Sequence, residues 1–364
     1  MPVNPGDGED LAARVARLVD ATEVELLRIL AQLIREGADR DDWSGLQGAQ
    51  MMLWEAQKAG RALTPQVRQA ILDEILAAMN IGTATALNDL PGDAPVVTGN
   101  VWRATVEAAG VQANVADALG RMPGLLVDAY RRATAAGAAQ VLGGRLTRLQ
   151  ASQSVLDDLL SQGIRGYRDR AGRNWALDTY VEMAVRTVTG QAAIDAHLDQ
   201  LAHAGRDLVI VSDSPRECPL CRPWEGKVLS ISGAVGAVIV PSRTTGDPVR
   251  VQVAGTVAQA RATGLMHPNC RHSMSSFIPG ATRQRAPRQD PAAYEASQRQ
   301  RAMERKIREW KRRQALALDD AAAARAAGKV REWQSALREH VDAHDLKRLR
   351  YREQVGTPTD PLAH

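Results

Sequence analysis

The sequence predicts a mainly α-helical protein in three parts: a helical N-terminal region, a small α+β module that contains every cysteine, and a basic helical C-terminal tail. Two observations favour helices. Aromatic residues make up 4% of the 364 residues and Phe277 is the single phenylalanine, so the core must consist mainly of Leu, Ala and Val. Such a core is more typical of helices than of a β-sandwich. Apolar residues also recur at helical spacing over most of residues 8–162.

The N-terminal region, residues 1–162, is predicted to be an α-helical bundle or rod. Thr64 before Pro65 has the residue types of a helix cap and a first helical position, so a new helix is expected to begin there. The region offers no nucleophile, base or phosphate-binding loop. The predicted helices cover residues 8–37, 43–60, 65–87, a segment from 101, and residues 114–119, 124–142 and 147–162.

Residues 163–280 are predicted to combine one long helix with the small α+β module. Turns are expected at 163–166 and at 169–172, the second as a hairpin turn. His197 and His203 have no partner cluster nearby in sequence and are predicted to lie at the surface. The predicted elements are a helix over 177–202, strands over 208–211, 226–231, 235–240 and 249–253, and a short helix over 256–263.

Residues 281–291 are predicted to form a linker and residues 292–364 a basic tail, with helices over 294–319 and 330–353 that Gly328 separates. Residues 281–364 carry 19 Lys/Arg and 12 Asp/Glu, a net charge of +7, which leaves −3 for the rest of the chain. Two interpretations stay open. The tail offers a basic surface to DNA or to an acidic partner, or it is a solvated helix pair whose apolar stripe packs on itself or on another chain.

The three cysteines and two histidines form the clearest motif of the chain. Cys218 and Cys221 are separated by two residues, and His267, Cys270 and His272 follow after an interval of 45 residues. Two pairs of ligands brought together across a loop are typical of a closed tetrahedral zinc site, in which a tight turn aims both thiolates at one point. The motif therefore predicts one structural zinc ion, with three sulfurs and one histidine nitrogen as ligands.

Either histidine has a spacing that suits the fourth ligand. Two residues separate His267 from Cys270, which repeats the spacing of the first pair and favours His267 slightly. One residue separates Cys270 from His272, which is tighter but suitable if Arg271 points outward. The sequence leaves both open.

A redox pair, a disulfide and unused thiols are the alternatives to a metal site. A redox Cys-x-x-Cys opens a helix after a strand, whereas Arg222-Pro223 after this pair opens a helix poorly. An odd number of cysteines disfavours a framework built of disulfides alone. A module of about 70 residues is also of a size that often needs a metal to fold.

Composition and termini predict a soluble intracellular product that does not associate with a membrane. A few cysteines in a metal-like arrangement point to a reducing compartment. Residues 1–10 are acidic and lack the apolar core of a signal peptide. The longest run without polar side chains, residues 233–241, is far too short to span a bilayer.

Four runs of residues, which are strongest over 160–280 and occur in the same order, resemble the minor capsid and head-morphogenesis proteins of tailed phages, the Mu F-like and phage minor capsid protein 2 group. They are Gly166-Tyr-Arg-Asp-Arg-Ala-Gly-Arg-Asn-Trp175, Tyr180-Val-Glu-Met-Ala-Val-Arg-Thr187, Asp213-Ser-Pro-Arg-Glu-Cys-Pro-Leu-Cys221-Arg-Pro-Trp-Glu-Gly-Lys-Val-Leu-Ser230 and Leu265-Met-His-Pro-Asn-Cys-Arg-His272.

The resemblance implies a structural, non-enzymatic protein of the phage head, present in few copies and oligomeric in the virion. Portal or major capsid proteins would be its partners, and the basic tail would offer a contact to packaged DNA. The protein would reside in the virion capsid, and in the host cytoplasm during assembly. These are expectations that come from the family and not from composition or spacing.

Two other functions fit parts of the motif less well. A metal-dependent nuclease or toxin-like hydrolase would need His267, Asn269 and His272 as its site, but they crowd around Cys270, and a catalytic zinc keeps an open position. A zinc-bearing DNA-binding module would need a short finger helix, and the interval of 45 residues before His267 is far too long for one.

Overall fold

The structure is a computed structural model. It describes residues 7–40, 46–90, 92, 94–97, 101–142, 147–162, 167–168, 174–175, 177–214, 216–268, 270–284, 286–288 and 290–356.

Helices dominate the described residues, so the predicted mainly α-helical class is confirmed. The helices are α1 Asp7–Arg40, α2 Leu46–Asn88, α3 Val101–Leu142, α4 Arg148–Gln162, α5 Leu177–His203, α6 Val257–Ala262, α7 Pro291–Ala315 and α8 Asp320–Ala343. The strands are β1 Tyr167–Arg168, β2 Asn174–Trp175, β3 Leu208–Val211, β4 Val228–Ser230, β5 Gly236–Pro241, β6 Pro248–Thr256 and β7 Met274–Ser276.

Three predicted helix boundaries are wrong, because the helices continue through them. Pro65 lies inside α2 and Pro123 inside α3. A proline in a helix costs about 3 kcal/mol, but the residues on both sides of each are buried. Leu63 and Val67 flank Pro65 in this way, and Met122 and Leu126 flank Pro123. Burial of apolar residues on both sides offsets the cost of the proline.

The third wrong boundary lies in the C-terminal tail. Gly328 is inside α8, between the buried residues Ala326 and Val330, and it does not break the helix. The helix then ends at Ala343 and not near residue 353. A short 3₁₀ turn over Arg350–Glu353 follows it.

The chain folds into two compact units that each draw on several separate segments. The first contains Met1–Ala13, Ala70–Val111 and Met183–Glu295, and the second contains Arg14–Gln69, Gln112–Glu182 and Ala296–His364. The division into consecutive domains at 1–162, 163–280, 281–291 and 292–364 stays a prediction.

A five-stranded sheet forms the centre of the first unit. Its strand order is β5-β6-β4-β3-β7, with β4 and β6 parallel and the other neighbours antiparallel. Both faces are apolar, since Val209 and Val211 belong to one buried cluster and Leu208 to another, with Ile210 packed against the latter. The sequence analysis missed β7, because Met274-Ser275-Ser276 is short and mostly polar.

Helix α5 lies against the face of the sheet that carries Val209, through Ile194, Leu198 and Leu201. Next to this contact, Gly82 of α2 approaches the backbone of α5 at Ala193 so closely that no Cβ would fit between them. A glycine is therefore required at position 82.

The surface prediction for the two histidines of α5 is wrong at one position. His197 is fully buried, whereas His203 is exposed as expected. Burial lowers the pKa of His197, and the nearby carboxylate of Asp89 opposes that shift only in part. The ring is therefore neutral at pH 7.

Helices α7 and α8 pack against each other in the second unit. Their seam contains Ala296, Ile307, Leu337 and Val341, which are all buried. This is the self-packing apolar stripe that one interpretation of the tail predicted. The seam begins at a well-formed cap, because the carboxylate of Asp319 accepts a 2.7 Å hydrogen bond from the amide of Ala322.

Two further sequence predictions meet the structure only in part. Strands β1 and β2 pair in antiparallel fashion, as a hairpin requires, but the predicted turns at 163–166 and 169–172 lie outside the described residues. Among the described residues, one span, Gln47–Asn88 of α2, is long and apolar enough to cross a membrane, with 39% of its most apolar window buried inside the protein. The sequence prediction considered only runs without polar side chains and therefore did not identify this helix. A core helix of a soluble protein can have the same length and composition.

Candidate metal centre

The first pair of cysteines lies in a tight turn that follows β3. The carbonyl of Cys218 accepts hydrogen bonds from the amides of Cys221, at 3.2 Å, and of Arg222, at 3.1 Å. A 3₁₀ turn over Arg222–Trp224 comes next, with Pro223 inside it. The turn brings the side chains of Cys218 and Cys221 to the same side, as the two-residue spacing predicts.

The second pair repeats this arrangement after α6. The carbonyl of His267 accepts a 2.9 Å hydrogen bond from the amide of Cys270, again between residues three apart. Met266 precedes the turn with a φ of 62°, in the left-handed region that side chains other than glycine rarely adopt. Its carbonyl accepts a hydrogen bond from Gln191 of α5, which helps to hold this backbone in place.

The two turns bring all five predicted ligands together. Cys218, Cys221 and His267 form one group whose ligand atoms lie within 4.8 Å of one another, and Cys221, Cys270 and His272 form a second. Cys221 belongs to both groups, so the two groups are adjacent and share one sulfur. The three thiols are free of disulfide bonds.

Each histidine turns one ring nitrogen toward a sulfur and fixes the other on a protein acceptor. His267 directs Nε2 to Cys218 Sγ at 2.7 Å, and its Nδ1 is 2.7 Å from the carbonyl of Pro268. His272 directs Nδ1 to Cys270 Sγ at 3.4 Å, and its Nε2 is 2.7 Å from Glu225 Oε1. In the neutral form of each ring, the carbonyl or the carboxylate accepts a hydrogen bond from the ring N–H, and the lone pair of the other nitrogen faces the sulfur, as in metal-ligating histidines.

Glu225 holds the ring of His272 in place through this hydrogen bond. The sequence did not predict this role. The side chain is buried, and its Oε1 also accepts a 3.0 Å hydrogen bond from the amide of Ser214. A carboxylate behind a metal-bound histidine is the common outer partner of such ligands. Its place in the run Trp224-Glu225-Gly226 gave no spacing clue, because it meets His272 only across the fold.

Among the three sulfurs, the surroundings of Cys270 favour the thiolate, which is the form that binds a metal. A hydrogen bond from Cys221 and contacts with His272 lower the pKa of Cys270 to about 4, against the opposing effect of burial. The same hydrogen bond, together with burial, raises the pKa of Cys221. The amide of His272 also donates to Cys270 Sγ at 3.4 Å. These shifts favour a thiol at Cys221 and a thiolate at Cys270.

The pKa of His272 is raised above its ordinary value. Burial acts to lower it, but Cys270 and Glu225 more than compensate. A metal ion would replace this proton as the positive charge between the two anions, because metal ligands must be deprotonated.

The cluster is part of the apolar core on the α5 face of the sheet. Cys221 is fully buried in that core, and Cys218, Trp224 and Cys270 pack against it. The turn is fixed from outside as well. Glu217, also buried, accepts a 3.0 Å hydrogen bond from Arg222 and further ones from the amide of Asp290.

The separations of two pairs of donor atoms are close to those in a tetrahedral zinc site. Ligands at the usual zinc distances stand about 3.5 Å apart for sulfur and nitrogen, and about 3.8 Å for two sulfurs. The Cys270–His272 separation of 3.4 Å matches the first value, and the Cys221–Cys270 separation of 3.4 Å is slightly below the second. The Cys218–His267 separation of 2.7 Å is far shorter than either. The donor set therefore fits zinc, and His272 fits better than His267.

A family model described as phage minor capsid protein 2 matches residues 3–342, nearly the whole chain. No curated protein and no solved structure matches the chain. The resemblance that the motifs around the cysteines predicted is thereby confirmed.

Proposed function

This chain belongs to the phage minor capsid protein 2 family, and we propose from that premise that it is a structural, non-enzymatic component of the phage head stabilised by one zinc ion. The family assigns it to the virion. The two adjacent groups of potential ligands, Cys218/Cys221/His267 and Cys221/Cys270/His272, are the observation that supports the zinc ion. Closed sites rich in sulfur are typical of structural zinc and not of catalytic zinc.

We propose that the four ligands are Cys218, Cys221, Cys270 and His272. Three features favour His272 over His267: its separation from Cys270, its burial, and its support by Glu225. His267 is half-buried and lies too close to Cys218 for both to bind one tetrahedral ion without moving apart. His267 would then form a hydrogen bond to the thiolate of Cys218, as an outer partner.

The pair of histidines supplies matched variants for this assignment. We expect His272→Ala to lower the zinc content of the purified full-length protein far below one ion per chain, and His267→Ala to retain it, as measured by elemental mass spectrometry. The reverse result would exchange the two assignments. A Cys218→Ser protein that stays folded with a full equivalent of zinc would show that the site has been misread.

The geometry of His272 supports a structural role over the nuclease or hydrolase alternative. A general base must reach its substrate, but this ring is buried and occupied on both nitrogens. We expect no metal-dependent nicking of plasmid DNA with Mg²⁺ or Mn²⁺. Nicking that is present in the wild type and lost in His272→Ala would overturn the structural role.

The assembly partners we propose are the portal protein, the major capsid protein or both, and the protein would be oligomeric in the particle. Quantitative mass spectrometry of purified virions tests the role directly. We expect the chain in the particle at far fewer copies than the major capsid protein. Its absence from the particle, with abundance in the infected cell, would contradict a structural role in the head.

A further inference from the structure

The C-terminal segment after α8 crosses the α7–α8 pair and encloses a basic cleft. The carbonyl of Lys347 accepts a hydrogen bond from Gln300 of α7, and the carbonyl of Arg352 accepts one from Arg308 of the same helix. Gln334 of α8 donates to Glu353. A cleft of about 280 Å³ opens between these elements. Its lining consists of Lys311, Gln334, Arg338, Arg348, Arg350, Glu353 and Gln354.

The charges of this cleft are unbalanced. Lys311, Arg338, Arg348 and Arg350 contribute four positive charges against the single carboxylate of Glu353. That carboxylate is committed, because both its oxygens pair with Arg348 at 2.6 and 2.7 Å. Both residues line the cleft, with Arg348 half-buried and Glu353 buried. The net charge of the lining is therefore +3.

The remaining cations face outward. Arg338 and Arg350 are exposed and have no acidic partner within the described part of the chain. Lys311 is half-buried, and its contact to Gln354 at 3.4 Å is neutral. Burial lowers the pKa of Lys311, the carboxylate of Glu353 opposes that shift, and the charge of Arg348 adds to it. An anion in the cleft would relieve this repulsion.

We propose that this cleft binds the phosphodiester backbone of double-stranded DNA. Guanidinium groups bind phosphate oxygens through two parallel N–H donors, and a cleft concentrates their field. The cleft is too small and too polar for an apolar ligand. The proposal rests on the proposed function, since packaged DNA is the polyanion that a protein of the phage head meets.

One exposed arginine of α7, Arg305, adds positive charge beyond the cleft. Arg301 and Arg308 of the same helix are half-buried and interact with the buried carboxylate of Glu304, and Arg308 also donates to the carbonyl of Arg352. Side chains that contact only phosphates carry no sequence information. The contact would therefore follow the backbone and carry no sequence preference.

The test compares two double variants of the full-length protein that remove the same charge. The cleft variant, Arg338→Gln/Arg350→Gln, removes the two exposed arginines that line the cleft. The control variant, Arg299→Gln/Arg331→Gln, removes two exposed arginines that do not line it. All four side chains are exposed, so the helical circular dichroism and the zinc content should not change. Binding of a fluorescent DNA duplex is measured by anisotropy over a series of salt concentrations.

We expect the cleft variant to bind DNA about 10- to 100-fold more weakly at 0.1 M salt, with a salt slope smaller by about 2, because two phosphate contacts are lost. The control variant should lose less than about threefold, since screened charges outside the contact matter little. Equal losses in both variants, or no measurable DNA binding by the wild type, would overturn the proposal.

Poly-glutamate distinguishes the proposed ligand from an acidic protein partner. Binding of this polymer as tightly as DNA, with the same dependence on Arg338 and Arg350, would overturn the assignment to nucleic acid. The outcome is also separable from the proposed function. A failure of the cleft variants to affect DNA binding leaves the zinc content and the presence of the chain in virions untouched.

Discussion

The five-stranded sheet of the first unit and the α7–α8 pair of the second differ in what lies at their centres. The sheet surrounds itself with apolar side chains on both faces, yet one of its clusters contains the ionisable group Cys221 and borders on Cys218 and Cys270. The helix pair has a mainly apolar seam that includes Ile307 and Leu337, with one buried hydrogen bond between His340 and the carbonyl of Ala296. With the proposed zinc ion, the first region would depend on a bound ion as well as on burial, whereas the second depends on burial and on helix capping.

Removal of the proposed zinc ion should have the largest effect, because it should destabilise the sheet of the first unit and leave the α7–α8 pair unchanged. In small zinc modules the apparent binding free energy is about 10–16 kcal/mol, so chelation should destabilise the sheet by several kcal/mol. Hydrogen exchange measured by mass spectrometry should show loss of protection in β3, β4, β6 and β7. Helices α7 and α8 should keep theirs. Equal loss in both regions, or none in the sheet, would remove the distinction.

Leu337→Ala should destabilise the α7–α8 pair and leave the sheet of the first unit unchanged. Leu337 is fully buried in the seam, and truncation of such a leucine costs about 2–5 kcal/mol. Chemical denaturation followed through the helical signal measures the loss, and the zinc content should stay at the wild-type value. Leu53→Ala, the same change at an exposed leucine of the second unit, is the control and should cost well under half as much. A fall in zinc content with Leu337→Ala would contradict the independence of the two regions.

The cap of α8 offers a smaller and more local change. Asp319→Ala removes the hydrogen bond to the amide of Ala322 and should cost about 1 kcal/mol. Asp320→Ala, the adjacent control, removes only a favourable charge in the first turn and should cost a few tenths of a kcal/mol. Denaturation midpoints of the two variants measure the difference. Equal effects would mean that the side-chain cap contributes nothing beyond its charge.

The smallest expected effect is on the pH dependence of the stability of the first unit. His197 should be one source of this dependence. Burial lowers the pKa of this ring in the folded state, so the unfolded chain takes up the proton first as the pH falls below about 6.5. Stability at His197 is therefore unchanged above that pH and declines below it.

His197→Leu removes this titration and His203→Leu, at an exposed position of the same helix, is its control. Urea midpoints between pH 7 and pH 5 should fall less steeply in His197→Leu than in the wild type, and as steeply as the wild type in His203→Leu. Identical slopes in all three proteins would show that the folded chain protonates His197 freely.

The sequence predicted the local parts of this protein better than the parts that depend on packing. The spacing of Cys218 and Cys221, and of His267 and Cys270, was sufficient to predict two turns that meet, because each turn is closed by hydrogen bonds between residues three or four apart. The role of Glu225 could not be predicted from the sequence, because Glu225 and His272 are 47 positions apart in the chain and meet only in the fold.

The helix boundaries failed for the same reason. Pro65, Pro123 and Gly328 weaken a helix locally, but all three lie inside helices whose flanking residues are buried by other segments. His197 was placed at the surface because no partner lies near it in sequence, and the fold buries it all the same. Local propensity decides where a helix is weak, and tertiary burial decides whether it ends.

X-ray absorption at the zinc edge of the purified full-length protein tests the central claim most directly. We expect one zinc per chain in a shell of three sulfurs at about 2.3 Å and one nitrogen at about 2.0 Å. The same spectrum in His272→Ala should show no such shell, and in His267→Ala it should be unchanged. A wild-type protein without zinc, or with a shell of oxygen ligands, would contradict a structural zinc site between the two turns.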